Sequence, residues 1–190
     1  MRYLCFYLLL MALLSVNGQN APERVGERKG FFLGVAAGPS LIRLKTASQP
    51  AETELSLSFP NFKLGYMIRP QLALALSLPG TVYRYSAQGR VRDRGFEAIL
   101  PSVQYWPSKR WWILAGAGLG MDAPAFYDIK DETERSFYFG AAAIAATGYE
   151  VWQGRRFVLD VQLRVHTGNV RITEKRQGTA LSLMLGLSGY

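Results

Sequence analysis

The sequence predicts an all-β chain, an eight-stranded antiparallel up-and-down transmembrane β-barrel preceded by a signal peptide. Three observations lead there. Apolar residues alternate with small or polar ones over long stretches, the connections between those stretches alternate in length, and the tryptophans gather at the short connections.

The chain has 190 residues, one domain's worth. Arg2 supplies a positive start, Leu4 to Leu14 is an almost unbroken apolar run, and Val16-Asn17-Gly18 offers a cut after Gly18. That order is a secretory signal peptide. The apolar run is shorter than the roughly 20 residues a spanning helix needs. Residues 1–18 are therefore read as signal, 19–29 as a short N-terminal segment and 30–190 as the barrel domain. The single cysteine, Cys5, lies in the signal, so the exported chain has neither disulfide nor cysteine metal site.

Period-two alternation marks the strands. Leu72, Leu74, Leu76 and Leu78 alternate with Ala73, Ala75 and Ser77, and Leu181, Leu183, Leu185 and Leu187 with Ser182, Met184 and Gly186. Phe157 to Val165 does the same against Val158, Asp160, Gln162 and Arg164. Eight segments follow, at about 30–44, 59–69, 72–85, 96–106, 111–121, 136–150, 156–167 and 179–190. Each is long enough to cross a bilayer as a tilted strand of roughly 9–11 residues.

The short connections are Arg69-Pro70-Gln71, Pro107 to Arg110 and Val151 to Arg155; the long ones are 45–58, 86–95, 122–135 and 168–178. Transmembrane barrels pair short periplasmic turns with longer outer loops. Tyr66, Tyr105 and Tyr149 each precede a short turn, an internal repeat of about forty residues.

Trp106, Trp111 and Trp112 flank the middle turn and Trp152 lies in the last. Indole prefers the membrane–water boundary. With Tyr105 and Tyr149 they are expected to form a periplasmic-side aromatic girdle, joined by the terminal Tyr190 if Gly189 breaks the alternation. Tyr83, Tyr85, Phe96, Phe137, Tyr138 and Phe139 adjoin the long loops and suggest a second girdle.

With leucines toward lipid, the opposite parity places Lys63, Gln104, Glu150, Asp160, Gln162, Arg164 and His166 in the lumen. Buried charges must pair, so Asp160 and Glu150 are expected to face Lys63 and Arg164. An eight-stranded barrel is just wide enough to be filled by such side chains.

The segments GFFLGVAAGPS, FKLGYMIRPQLALAL, VQYWPSKRWWILAGAGLG and GYEVWQGRRFVLDVQLRVHTG resemble the OmpA/OmpX-type small outer-membrane β-barrels over most of residues 30–190. The resemblance implies the bacterial outer membrane, a porin-like fold, and insertion by the barrel-assembly machinery, whose terminal aromatic signal Tyr190 matches. Its motifs are structural and imply no activity.

The net charge of +8 does not point to nucleic acid, because the chain is exported and its basic residues sit in candidate loops. Residues 84–94 carry Arg84, Arg90, Arg92 and Arg94 against Asp93, and 171–176 carry Arg171, Lys175 and Arg176 against Glu174. Residues 122–135 are acidic, with Asp122, Asp128, Asp131, Glu132 and Glu134 against Lys130 and Arg135. Outer-membrane lipids and lipopolysaccharide phosphates are the expected partners, and a monomer is the expected state.

No cofactor or metal is expected. The glycines of AGAGLG lie in a strand and open no helix, and the acidic loop lacks a calcium pattern. The lone histidine stands in RVHTGN, which resembles the His-x-Ser-Asn motif of the lipid A deacylase barrels at His166 and Asn169. Gly168 stands at the nucleophile position, and Thr167 points the other way by alternation. Acyl transfer needs a nucleophile beside its base, so no enzyme is expected. The leading expectation is a structural or surface-interaction protein. A narrow transport barrel for small apolar solutes or ions stands second, and a soluble lipocalin-like binder would invert the parity.

Overall fold

The computed structural model describes residues 28–46, 50–87, 90–125, 137–171 and 175–190. The predicted signal peptide, residues 19–27 and most of the acidic loop lie outside them. Nine strands are present: β1 Gly30–Thr46, β2 Glu52–Arg69, β3 Leu72–Leu78, β4 Gly80–Ala87, β5 Arg90–Tyr105, β6 Trp111–Pro124, β7 Tyr138–Gln153, β8 Phe157–Arg171 and β9 Lys175–Gly189. β3 and β4 are one predicted segment, interrupted at Pro79, and both pair with β5. Proline has no N–H to give a ladder. The chain thus makes eight antiparallel crossings.

Consecutive strands pair except β3 and β4, which follow one another along the same crossing; β1 pairs with β9, and β3 pairs with both β2 and β5. The sheet closes on itself through β3, and closure removes unpaired edges except near the loop end, where β2 and β4 share no ladder.

Alternation sets the two faces. Leu181, Leu183, Leu185 and Leu187 all point outward, as do Leu74, Leu76, Leu163 and Val165, while Ala180, Ser182, Met184 and Ser188 are buried inside. The outward set continues around the ring through Phe31, Leu33, Leu64, Val103, Ile113 and Phe139. This exposed apolar band suits hydrocarbon and not water. No helix among the described residues is long and apolar enough to cross a membrane.

Two expectations need correction. The connections opposite the short turns are mostly strand: β8 and β9 run to Arg171 and from Lys175, and β4 and β5 to Ala87 and from Arg90. The predicted loops 168–178 and 86–95 are largely hairpin extensions, because polar residues lengthen a ladder as readily as apolar ones once the band is passed. The connection between Pro124 and Tyr138 remains long. Second, inward parity is not constant along β2. Ser58 and Asn61 both face inward, and Gly38 and Ala36 on β1 pair with them across a bulge. An extra residue shifts the alternation by one.

Candidate functional site

The interior is the candidate site, and it is filled in layers. At the turn end, β7 places the Glu150 carboxylate where Arg28 Nη2 donates to it at 2.6 Å and the Trp106 indole N–H at 2.8 Å; Gln153 adds a third donor. Arg28 also donates to the Lys109 carbonyl and lies over the Trp106 ring at 4.8 Å. The pair is buried, with the two side chains 8% and 1% exposed.

The next layer joins four strands. Asp160 accepts from the Trp112 indole at 3.1 Å and from Gln162 Nε2 at 2.7 Å. Gln162 Oε1 accepts from Arg164, which also donates to Asn61 Oδ1 at 2.8 Å. Lys63 Nζ donates to Gln104 Oε1 at 2.7 Å and sits 4.7 Å from the Trp112 ring centroid. Glycines make the room. A Cβ at Gly186 would collide with Asp160 and Gln162, and one at Gly148 with the Trp112 ring.

All seven predicted lumen residues, Lys63, Gln104, Glu150, Asp160, Gln162, Arg164 and His166, are therefore buried. Their partners differ from those expected. Among the described residues no ion pair joins Asp160 or Glu150 to Lys63 or Arg164. Glu150 takes Arg28 instead, and the Trp112 indole stands between Lys63 and Asp160, offering its face to one and its N–H to the other.

The aromatic girdle is also corrected. Tyr105, Trp111, Tyr149 and Trp152 are 43–51% exposed on the outer face. Trp106 and Trp112 are 1% exposed and lie inside. The reason is parity: Trp106 follows Gln104 by two residues and Trp112 precedes Leu114 by two, both inward positions. Tyr190 also turns inward, stacking on Phe32 at 5.3 Å, so the alternation holds through Gly189. At the other end Phe137 and Phe139 face outward, but Tyr83 and Phe96 are buried and Tyr138 packs on their cluster. Nothing is described of the Tyr85 side chain.

Near the loop end a third polar cluster lies inside the barrel. Asp122 on β6 accepts from Arg94 Nε at 2.6 Å and from the Tyr83 hydroxyl, and Arg176 Nη1 reaches Tyr83 at 2.7 Å and Asp122 at 3.4 Å. Arg94, Asp122 and Arg176 were visible in the sequence only as loop charges. Tyr83 stands in the sequence as an aromatic beside a long loop, and Arg28 gives no signal there.

His166 stacks on Phe96, with centroids 5.5 Å apart, and neither ring nitrogen finds a hydrogen-bond partner among the described residues. The Thr167 hydroxyl bonds the Gly178 carbonyl and the Thr179 hydroxyl, so it serves the neighbouring strand and not His166. No group of three or more His, Cys, Asp or Glu among the described residues has the arrangement of a metal site.

No family model matches the chain, and no curated protein matches it significantly by sequence. Solved structures do match. Ail, the attachment invasion locus protein of Yersinia pestis, is similar at a TM-score of 0.54 and 15% identity, with 85% of this chain and 99% of that one covered. Neisserial surface protein A is similar at a TM-score of 0.56 and 16% identity, over 85% of this chain and 97% of that one. At such identities the likeness is one of fold, and the fold is that of the small outer-membrane β-barrel proteins.

Proposed function

We propose that the protein is an integral protein of the bacterial outer membrane with a structural or surface-interaction role, its lumen closed by its own side chains. One observation supports the reading: charged and aromatic groups from non-neighbouring parts of the wall meet in three layers, around Glu150, around Asp160 and around Asp122. Work on a substrate or solute needs access, and buried side chains bonded across the interior leave little of it. Outer-membrane lipids, lipopolysaccharide and the assembly machinery are the partners this reading implies. Tyr105, Trp111, Tyr149 and Trp152 would then lie at the periplasmic boundary, where an indole can keep its ring dry and its N–H wet.

A second reading is a narrow path for small apolar solutes or ions. It draws on the buried polar atoms that lack a hydrogen-bond partner, namely Ser77 Oγ, Arg164 Nε and both nitrogens of His166. Such atoms mark places where water can be held.

A deletion strain tests the function. The expected result is altered envelope integrity or surface contact with an unchanged lipid A profile. Loss of an ester-linked acyl chain when the protein is expressed would replace the reading with an enzymatic one.

A further inference from the structure

One seam of the wall is built differently from the others. β2 and β4 lie side by side near the loop end but are not joined by a backbone ladder. Pro60 on β2 and Pro79 at the β3–β4 junction remove two donors there. Side chains of β2 take over. Ser58 and Asn61 donate to the Gly80 carbonyl at 2.8 and 3.3 Å, Ser56 donates to the Val82 carbonyl, and Asn61 Oδ1 and Glu54 Oε2 accept from the Gly80 and Arg84 N–H groups at 3.2 Å. Backbone groups at membrane depth must be satisfied by protein, and these bonds do so without drawing the two strands to ladder spacing.

The result is a crevice of about 340 Å³ in the wall. Leu55, Leu57, Phe59 and Val82 line it, and Glu54, Arg84 and Asp93 stand among its polar lining. Leu55 is 73% exposed and pairs with Leu41 of the apolar band; the next outward position on β1 is the exposed Arg43. The crevice is thus continuous with the lipid-facing surface and ends where that surface becomes charged. Its volume is at the low end for small-molecule sites, which suits a single narrow chain.

We propose that this seam is a lateral binding crevice for one acyl chain of a membrane lipid, with the lipid's polar end toward Arg84. The proposal rests on the reading that the apolar band lies in lipid, and the following experiment separates the two. The full chain is refolded into phosphatidylcholine vesicles containing a phosphatidylcholine whose acyl chain bears a photoactivatable diazirine, and the labelled residues are mapped. Labelling at Leu57, Phe59 and Val82 should exceed that at Leu163 and Leu183 on another part of the wall by about tenfold, a preference of 1.4 kcal/mol. Leu57→Trp should fill the crevice and reduce labelling of Phe59 and Val82 to the level of the rest of the wall, leaving Leu183 unchanged. If that variant does not regain its heat-sensitive gel mobility, Val82→Phe serves in its place. Equal labelling of both regions, or labelling indifferent to the filled crevice, would overturn the proposal while leaving the membrane reading intact. Absence of labelling anywhere on the wall would remove both.

Discussion

Arg28 reaches into the barrel from the residues before β1 and binds the Glu150 carboxylate at 2.6 Å, so the turn-end polar layer includes a side chain that belongs to no strand. Three donors converge on that carboxylate, from Arg28, Trp106 and Gln153. Glu150→Ala leaves a buried guanidinium without its charge partner, which costs about 3–5 kcal/mol. Urea unfolding of the refolded protein in lipid vesicles should show a loss of that size. Combining Glu150→Ala with Arg28→Met should cost less than the sum of the single changes, because the stranded charge is gone.

The tryptophans make a prediction that depends on direction alone. Trp111 and Trp152 are about half exposed on the outer face, whereas Trp106 and Trp112 are buried inside. In vesicles of bromine-labelled lipid, variants retaining only Trp111 or only Trp152 should be strongly quenched. Variants retaining only Trp106 or Trp112 should be nearly unaffected. Equal quenching of all four would contradict the inward placement.

How this ring could be read from sequence depends on which rule each residue obeys. Leu181 to Leu187 and Phe157 to Val165 display alternation directly, and alternation decides both the strand and its lipid face. The same rule reached Gln104, Asp160 and Arg164. At Trp106 and Trp112 parity competes with the preference of indole for a membrane boundary, and parity wins; a barrel only eight crossings around has room for large aromatics if glycine faces them, as Gly148 faces Trp112. The partners were harder to foresee. Which acid meets which base depends on register across several strands, and Arg28 enters from outside the alternating pattern altogether. Arg94, Asp122 and Arg176 look like loop charges in the sequence because ladders extend past the apolar band into segments of loop-like composition.

The loop-end cluster predicts a smaller effect. Tyr83→Phe removes a hydroxyl that donates to Asp122 and accepts from Arg176. Leaving that buried carboxylate one donor short costs about 1–3 kcal/mol. Vesicle unfolding should register it, while the gel mobility of the folded form stays unchanged.

The outer face predicts an asymmetry between neighbouring positions. Leu183 points outward and is 56% exposed, and the next residue, Met184, is buried. Leu183→Arg should destabilise the vesicle-inserted protein by about 2–4 kcal/mol if it lies near the bilayer midplane. Leu183→Ser, which adds no charge, should be far milder in the same vesicles. An arginine tolerated there as well as serine would mean that this face does not meet hydrocarbon.

The claim that the lumen is closed is tested most directly by single-channel recording in planar bilayers. The account predicts no discrete conductance for the refolded protein, and none for Asp160→Asn or Arg164→Met variants that retain the folded gel mobility. Defined conductance steps that change amplitude or ion preference with either substitution would contradict it.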